Sequence, residues 1–213
     1  METSIILETV IKVVVVLSVF SALAGFTTYI ERKVLAFMQR RLGPTNVGPY
    51  GLLQIAADGI KLFCKEDFIP ANANKPIFMV APLITAATAF IAMSAVPFFP
   101  EFEMFGYTVR PIISDINVGV LFVMSVGAVG LYGPLLGGMS SANKWALLGG
   151  ARTAIQLLSY EVVSGLSLLA PLMMVGSLSL IDINNFQSGG FTDWIIWSQP
   201  LAFLLFTIAG FAE

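Results

Sequence analysis

Five apolar runs constrain the fold of this chain more than any other feature of its sequence. A helix needs about 20 apolar residues to cross the hydrocarbon core of a bilayer, and each run reaches or approaches that length. Backbone polar groups find no water in hydrocarbon, so such runs must form helices. The sequence therefore predicts an all-α integral membrane protein, a polytopic helix bundle. We expect 1–213 to be one transmembrane domain, with spans over about 5–30, 77–98, 116–136, 155–175 and 194–213.

The composition supports this class and narrows the chemistry that the chain can perform. Hydrophobic residues make up 57% of the chain and charged residues 11%, against about 25% charged in soluble domains. A net charge of −2 argues against nucleic-acid binding, which needs a basic face. The chain has no histidine and one cysteine, Cys64. We therefore expect no metal site, no bound cofactor and no catalytic redox centre on this chain alone.

Charge alternates between the loops that join the spans. Seven of the eleven basic residues lie in the first loop or at its edges, between Arg32 and Lys75. The second loop is mainly acidic, the third is basic and the fourth carries only Asp182 and Asp193. Because basic loops stay in the cytoplasm, this pattern predicts that the N-terminus lies outside.

The first loop, residues 31–75, has an order of its own. Gly43-Pro44 and Gly48-Pro49 indicate turns. Beyond them, apolar residues recur at helical spacing, at Leu52, Ala56, Ile60 and Phe63. This spacing predicts an amphipathic helix over about Tyr50–Cys64 that lies in the membrane interface, and Asp58 could pair with Lys61 across one turn. The helix would be either part of a site or only an interfacial anchor with solvated charges.

Glu161 lies inside the fourth predicted span. A charged residue at the bilayer centre costs about 3 kcal/mol on insertion scales, so such residues normally face a bundle interior and serve a function. Arg152 precedes it by nine residues, and Glu31 and Glu213 are expected near the same membrane face. These acids would handle protons or ions, unless Glu161 only makes a structural hydrogen bond. The glycines of the third span, from Gly127 to Gly138, predict close helix packing.

Several motifs in family order resemble the H subunit of NADH-quinone oxidoreductase, respiratory complex I. The likeness runs from about Tyr29 to the end of the chain. Its motifs are Glu31-Arg-Lys, Gln39-Arg-Arg-Leu-Gly-Pro, Val47-Gly-Pro-Tyr-Gly-Leu-Leu-Gln, Ala57-Asp-Gly-Ile-Lys, Lys65-Glu-Asp, Asn143-Lys-Trp-Ala-Leu-Leu-Gly-Gly-Ala-Arg and Ser159-Tyr-Glu-Val. The family's members are longer, so we expect this chain to be part of a longer protein.

The resemblance implies the heel subunit of a proton-pumping translocase in a bacterial inner membrane. Its partners would be other membrane-arm subunits and a peripheral iron–sulfur arm, with quinone as the substrate of the complex, lipid around it, and any iron–sulfur clusters and flavin in partner subunits. The residues implied at the entrance of the quinone chamber and the start of the proton path are Glu31, Arg32, Arg41, Asp58 and Lys61. Those implied in intramembrane coupling are Arg152, Glu161 and Glu213.

Three other functions fit parts of the sequence. An independent ion or proton transporter would explain the intramembrane acids and the glycines, but no internal repeat is evident. A membrane subunit of an energy-converting hydrogenase shares a weaker version of the motifs. A purely structural anchor for a soluble redox partner would need none of the charged residues for activity.

Overall fold

The computed structural model describes residues 2–98, 102–104, 107–109 and 112–212 of the 213. Apart from one short hairpin, the regular structure of these residues is helical, which confirms the predicted all-α class. The hairpin pairs β1 (Phe102–Met104) antiparallel with β2 (Tyr107–Val109). The helices are α1 (Glu2–Met38), α2 (Gln54–Phe63), α3 (Lys75–Met93), α4 (Gly119–Gly130), α5 (Tyr132–Ser140), α6 (Lys144–Val175), α7 (Leu180–Phe186), α8 (Ile195–Ser198) and α9 (Pro200–Ala212).

Four helical segments of the described chain are long and apolar enough to cross a membrane. They are Glu8–Met38, Lys75–Met93, Gly119–Ser140 and Lys144–Val175, and α9 is a shorter apolar helix. Helix α6 begins well before the fourth predicted span, because the Asn143 side chain caps it by accepting a hydrogen bond from the Trp145 amide at 2.9 Å. It ends at Gly176, which adopts the left-handed conformation that glycine tolerates best (φ 71°).

The chain divides into two compact units, Met1–Phe68 and Ile69–Glu213. The first contains α1 and α2. Near its start, α1 carries the only charges that interrupt the first apolar run, Glu8 and Lys12. Their side chains form an ion pair of 2.7 Å across one turn, so neither charge is presented to an apolar environment alone.

A tight turn joins α1 to α2 within the first unit. Gly48, Tyr50 and Gly51 all have positive φ angles, of 73°, 55° and 83°. A Cβ atom on Gly51 would overlap the Pro44 carbonyl group, so only glycine fits there. The Tyr29 hydroxyl of α1 donates a hydrogen bond of 2.8 Å to the Tyr50 carbonyl oxygen and so holds the turn against α1.

The second unit is a bundle in which α3 packs on α4 and α5, α5 on α6, and α6 on α9. Glycines set these contacts, as the sequence predicted. A Cβ atom on Gly130 would lie 2.9 Å from Thr88 Oγ1, and one on Gly138 would lie 2.7 Å from the Ala146 carbonyl oxygen. One on Gly133 would overlap the Thr85 hydroxyl. Small residues therefore let these helices approach closely.

The third predicted span is helical along its length except for a local weakening at one residue. Helix α4 ends at Gly130 and α5 begins at Tyr132, while Leu131 between them keeps helical backbone angles (φ −56°, ψ −31°). Pro134 has no N–H to donate to the Gly130 carbonyl, so one hydrogen bond of the helical ladder is missing there.

The interior of the protein is formed mainly by small side chains. The buried apolar residues of the described chain are mostly small, including Ala36, Ala81, Ala154 and Ala209, and no large side chain among the described residues is fully buried. Large apolar side chains cover the outer surface instead. This distribution is that of a protein whose outer surface faces lipid.

Candidate functional site

The charged end of α1 is joined to α2 by a polar cluster. The Arg32 guanidinium of α1 forms a 2.5 Å ion pair with Asp58 Oδ2 of α2. The Gln54 side-chain amide, one turn before Asp58, donates a hydrogen bond of 3.0 Å to Asp58 Oδ1. Both carboxylate oxygens of Asp58 therefore have a donor, and 26 residues of sequence separate the two charges.

A cavity of about 230 Å³ adjoins this cluster, between α1 and α2. Its lining is part polar and part apolar: Gly25, Thr28, Tyr29, Arg32, Pro44, Gln54, Ile55, Asp58, Gly59 and Leu62. A Cβ atom on Gly25 would lie 2.6 Å from Ile55 Cγ2, so the absence of a side chain there lets α2 approach α1.

The two faces of α2 have different surroundings. Asp58 faces α1, whereas Ile60 and Phe63 on the predicted apolar face are 66% and 94% exposed. Asp58 is directed at α1 and keeps 30% of its side-chain surface exposed. The apolar face of α2 remains available to the membrane interface. The helix therefore has one face paired with α1 and one exposed apolar face.

The pKa of Asp58 lies below its ordinary value of 3.8. The hydrogen bond from Gln54 is the largest cause, and the hydrogen bond from Arg32 follows. The positive charges of Arg32 and Lys61 act in the same direction, against the opposing effect of desolvation. Asp58 is therefore ionised at neutral pH, and the pair with Arg32 persists there.

The other residues predicted at this site are placed less closely. Among the described residues, Lys61 has no ion pair with Asp58 within 4.0 Å, so the predicted one-turn pair is replaced by the pair between helices. The Arg41 guanidinium donates to Gln39 Oε1 at 2.7 Å, and Glu31 is exposed on α1. Neither Arg41 nor Glu31 lines the cavity.

Glu161 lies within the bundle of the second unit, half-buried in α6. It lines a separate, partly open cavity of about 400 Å³ bordered by α3, α4, α5 and α6. A Cβ atom on Gly127 would lie 3.6 Å from Glu161 Oε1, so the carboxyl group faces α4 where that helix has no side chain. Hydroxyl groups contribute to the same lining, those of Thr85, Thr88, Tyr160 and Ser164.

The junction between α4 and α5 borders the same cavity, since Gly130, Leu131 and Pro134 all line it. The hydroxyl groups of Thr88 and Ser164 donate to carbonyl oxygens within their own helices, at 3.0 and 2.9 Å. Their lone pairs therefore remain as acceptors beside the Glu161 carboxyl group.

The remaining predicted residues lie elsewhere. Arg152 is exposed on α6 and is not part of this lining, and Glu213 lies outside the described residues. In the described part of the chain, no three His, Cys, Asp or Glu side chains converge as metal ligands. Sequence reasoning missed Gln54 as the donor to Asp58, although its spacing of four residues was a usable signal. It also missed Thr85 and Thr88, which only helix packing brings to Glu161.

These features define a class: a polytopic α-helical membrane protein in which an amphipathic helix is ion-paired to the first long helix and a carboxyl group lies inside the bundle. The model of the NADH dehydrogenase family matches residues 11–213. The chain therefore belongs to that family, which confirms the resemblance and extends it to residues before Tyr29.

Relatives of known name are highly similar along the whole chain. The H subunit of the NADH-quinone oxidoreductase of Wolinella succinogenes is 76% identical over 211 residues, which are 99% of this chain and 64% of the relative. The protein of the same name from Nitratiruptor is 72% identical over the whole chain and 64% of the relative. That of Sulfurimonas denitrificans is 66% identical over the whole chain and 65% of the relative. The chain thus spans slightly less than two thirds of their length.

Proposed function

We propose that this chain belongs to the heel subunit of a proton-pumping NADH-quinone oxidoreductase. The observation that carries the proposal is the cluster of Arg32, Asp58 and Gln54, which fixes α2 to α1 beside a cavity in the segment that carries the family's motifs. The names of the relatives support the same function. The protein would reside in a bacterial inner membrane with its N-terminus outside, as the alternation of loop charge predicts.

In this proposal the cavity between α1 and α2 is the entrance for quinone. Its apolar walls, such as Ile55 and Leu62, suit a hydrophobic substrate, and its polar groups are held in place by one another. Asp58, kept ionised by its neighbours, holds Arg32 and positions α2. Lys61 adds positive charge to the entrance, and Glu31 and Arg41 extend the charged surface around it.

Quinone reduction consumes two protons with two electrons, so a path for protons must accompany it. Glu161, with the hydroxyl groups around its cavity, is the group in the second unit that suits such a path. A change of charge near the entrance would alter the protonation of coupled acids as a group. Arg152 and Glu213 would belong to the same coupling system.

The electrons would come from partner subunits. A chain with one cysteine and no histidine lacks the ligand set of an iron–sulfur cluster. Clusters and flavin would therefore be held by the peripheral arm, and this chain would bind quinone, lipid and the neighbouring membrane subunits.

The test uses the full-length protein assembled in its own membranes. We expect Glu161→Gln to lower electron flow from the complex's own donor to a short-chain quinone, and the coupled proton gradient, by at least about tenfold, because a positioned proton-transfer group is lost. Ser159→Ala is the matched control, since that hydroxyl bonds only to its own helix, at the Ile155 carbonyl. The amount of assembled complex in the membrane is measured for both variants.

Asp58→Asn tests the entrance separately. It should raise the KM for quinone and reduce turnover, whereas Glu66→Gln, an exposed acid two residues beyond Cys64, should change neither. Normal quinone reduction and pumping in both Glu161→Gln and Asp58→Asn would refute the proposal. Ion transport by the purified chain alone in liposomes would favour an independent transporter, and co-purification with a hydrogenase would favour the related membrane component of that enzyme.

A further inference from the structure

A second recess of the bundle, apart from the cavity at Glu161, has no part in the proposed function. Its volume is about 470 Å³, within the range of about 300–1,000 Å³ typical of small-molecule sites. Helices α4, α6, α7, α8 and α9 border this partly open recess, and no lining residue is charged. The side chains that shape it include Val123, Pro171, Gln187, Trp194, Gln199 and Phe203.

Two local features account for the recess: a break in helical geometry at Gln199 and a side-chain bridge made by Gln187. The chain leaves helical geometry at Gln199 (φ −133°, ψ 58°), between α8 and α9, where Pro200 follows. The Gln187 side chain bridges the end of α7 to the start of α8, donating to the Ile183 carbonyl and accepting from the Ile195 amide, both at 3.4 Å. These short helices form a rim above the ends of α6 and α9 and do not fill the space between them.

The position of the recess relative to the bilayer follows from its neighbours. It touches the last turns of α6 at Leu172 and the first turn of α9 at Phe203, so it lies at one end of the spans. The Phe191 ring contacts Trp194 in a tilted arrangement and Trp197 edge to face, with ring centroids 5.1 and 5.3 Å apart. Such aromatic clusters mark the headgroup level of a membrane, which places the apolar recess just below it, where acyl chains begin.

The segment that supplies Ile183 and Trp194 to the lining also carries charges that indicate the kind of headgroup, although neither of its aspartates lines the recess itself. Residues 176–199 contain Asp182 and Asp193 and no lysine or arginine. Asp182 accepts a hydrogen bond of 2.6 Å from the Ser177 hydroxyl, and Asp193 is exposed. This rim attracts an ammonium group and repels a net negative headgroup.

We propose that this recess is a lipid site that takes one acyl chain of a zwitterionic aminophospholipid of the phosphatidylethanolamine type. The chain lies against Phe203 and Pro171, and the ammonium group lies among the carboxylates of the rim. The site is independent of quinone chemistry, and its test does not depend on the proposed function.

Trp194 lines the recess and reports its occupancy. The full-length protein is placed in bilayers with every tryptophan except Trp194 replaced by phenylalanine, and phosphatidylethanolamine with brominated chains is titrated in as a contact quencher. A second variant retains only Trp145, which is 70% exposed at the start of α6 and reports bulk lipid. We expect Trp194 to be quenched at a lower mole fraction than Trp145, and brominated phosphatidylglycerol to lack this preference.

Filling the recess should abolish the preference. Ala202→Phe places a ring among the lining residues, and Ala202→Leu fills the same space with less bulk should the first variant fold poorly. Val162→Phe is the matched control, on an exposed position of α6 outside the lining. Loss of the extra quenching in the Ala202 variants alone supports the site. Equal quenching of Trp194 and Trp145, equal quenching by the anionic lipid, or extra quenching that survives Ala202→Phe would overturn the proposal.

Discussion

Replacing Gly133 by alanine tests how α5 packs against α3. The added Cβ atom would overlap the Thr85 hydroxyl and would lie 3.0 Å from the Ala81 carbonyl oxygen and 3.1 Å from Thr85 Cβ. Two of these atoms are fixed by the backbone of α3, so rotation of the Thr85 side chain relieves only part of the overlap. We expect α5 to move away from α3 at a cost of about 1–3 kcal/mol, the usual range for overpacking.

Gly149→Ala is the control variant with which the stability of Gly133→Ala is compared. Both glycines lie in helices, so both replacements gain about 1 kcal/mol of helix propensity, but a Cβ atom on Gly149 meets nothing within 4 Å. The difference in the free energy of unfolding between the two variants isolates the overlap. For a chain of this length, each kcal/mol corresponds to about 2–4 °C in Tm.

The assay is thermal unfolding in detergent, followed by circular dichroism. Adding Thr85→Ala to Gly133→Ala should recover part of the loss, because it removes the overlapping hydroxyl, with a coupling energy of about 1 kcal/mol. Gly133→Ala as stable as Gly149→Ala would refute the packing described here. So would the absence of any coupling between positions 133 and 85.

Two further predictions concern the first unit. Because the pKa of Asp58 is below 3.8, its pair with Arg32 contributes stability above that value and loses it as the pH falls through the lowered pKa. Hydrogen exchange in α2 should stay slow down to about pH 4, and loss of protection already near pH 5 would contradict the pairing. Gly51→Ala should destabilise the turn by more than about 1 kcal/mol, since φ is 83° and the Cβ atom would overlap Pro44. Limited proteolysis of the loop measures this effect. Cleavage should be faster in Gly51→Ala and unchanged in Gly59→Ala, where a Cβ atom would meet open space.

Periodicity predicted much of this fold because it reports on neighbours within one helix. The spacing in the first loop indicated α2, and the length of the apolar runs indicated the long helices. The same reasoning paired Asp58 with Lys61, three residues away, whereas the structure pairs it with Arg32 in another helix. Local spacing contains no information on which helix packs against which. It therefore could not predict the contact between Arg32 and Asp58, which are 26 residues apart in the sequence.

The same limit of sequence-based prediction applies to the cavity around Glu161. Glu161 was identified because a carboxyl group is costly in hydrocarbon, which a single residue reveals. Thr85 and Thr88 reach its cavity only through the way α3 packs on α4 and α5. Pro134 is evident in the sequence, but a proline within an apolar run indicates either a helix kink or a helix end, and the sequence alone does not decide between them.

The scarcity of large buried side chains has a consequence for mutational tolerance. In a water-soluble protein, the interior positions with large side chains tolerate little change in side-chain size, and the surface positions must remain polar. In this bundle the constraint on size falls on residues with little or no side chain, such as Ala81 and Gly133, where a single added methyl group separates two helices. Outward-facing positions such as Leu166 need only remain apolar. A saturation scan of this chain should therefore rank its smallest residues as the least replaceable.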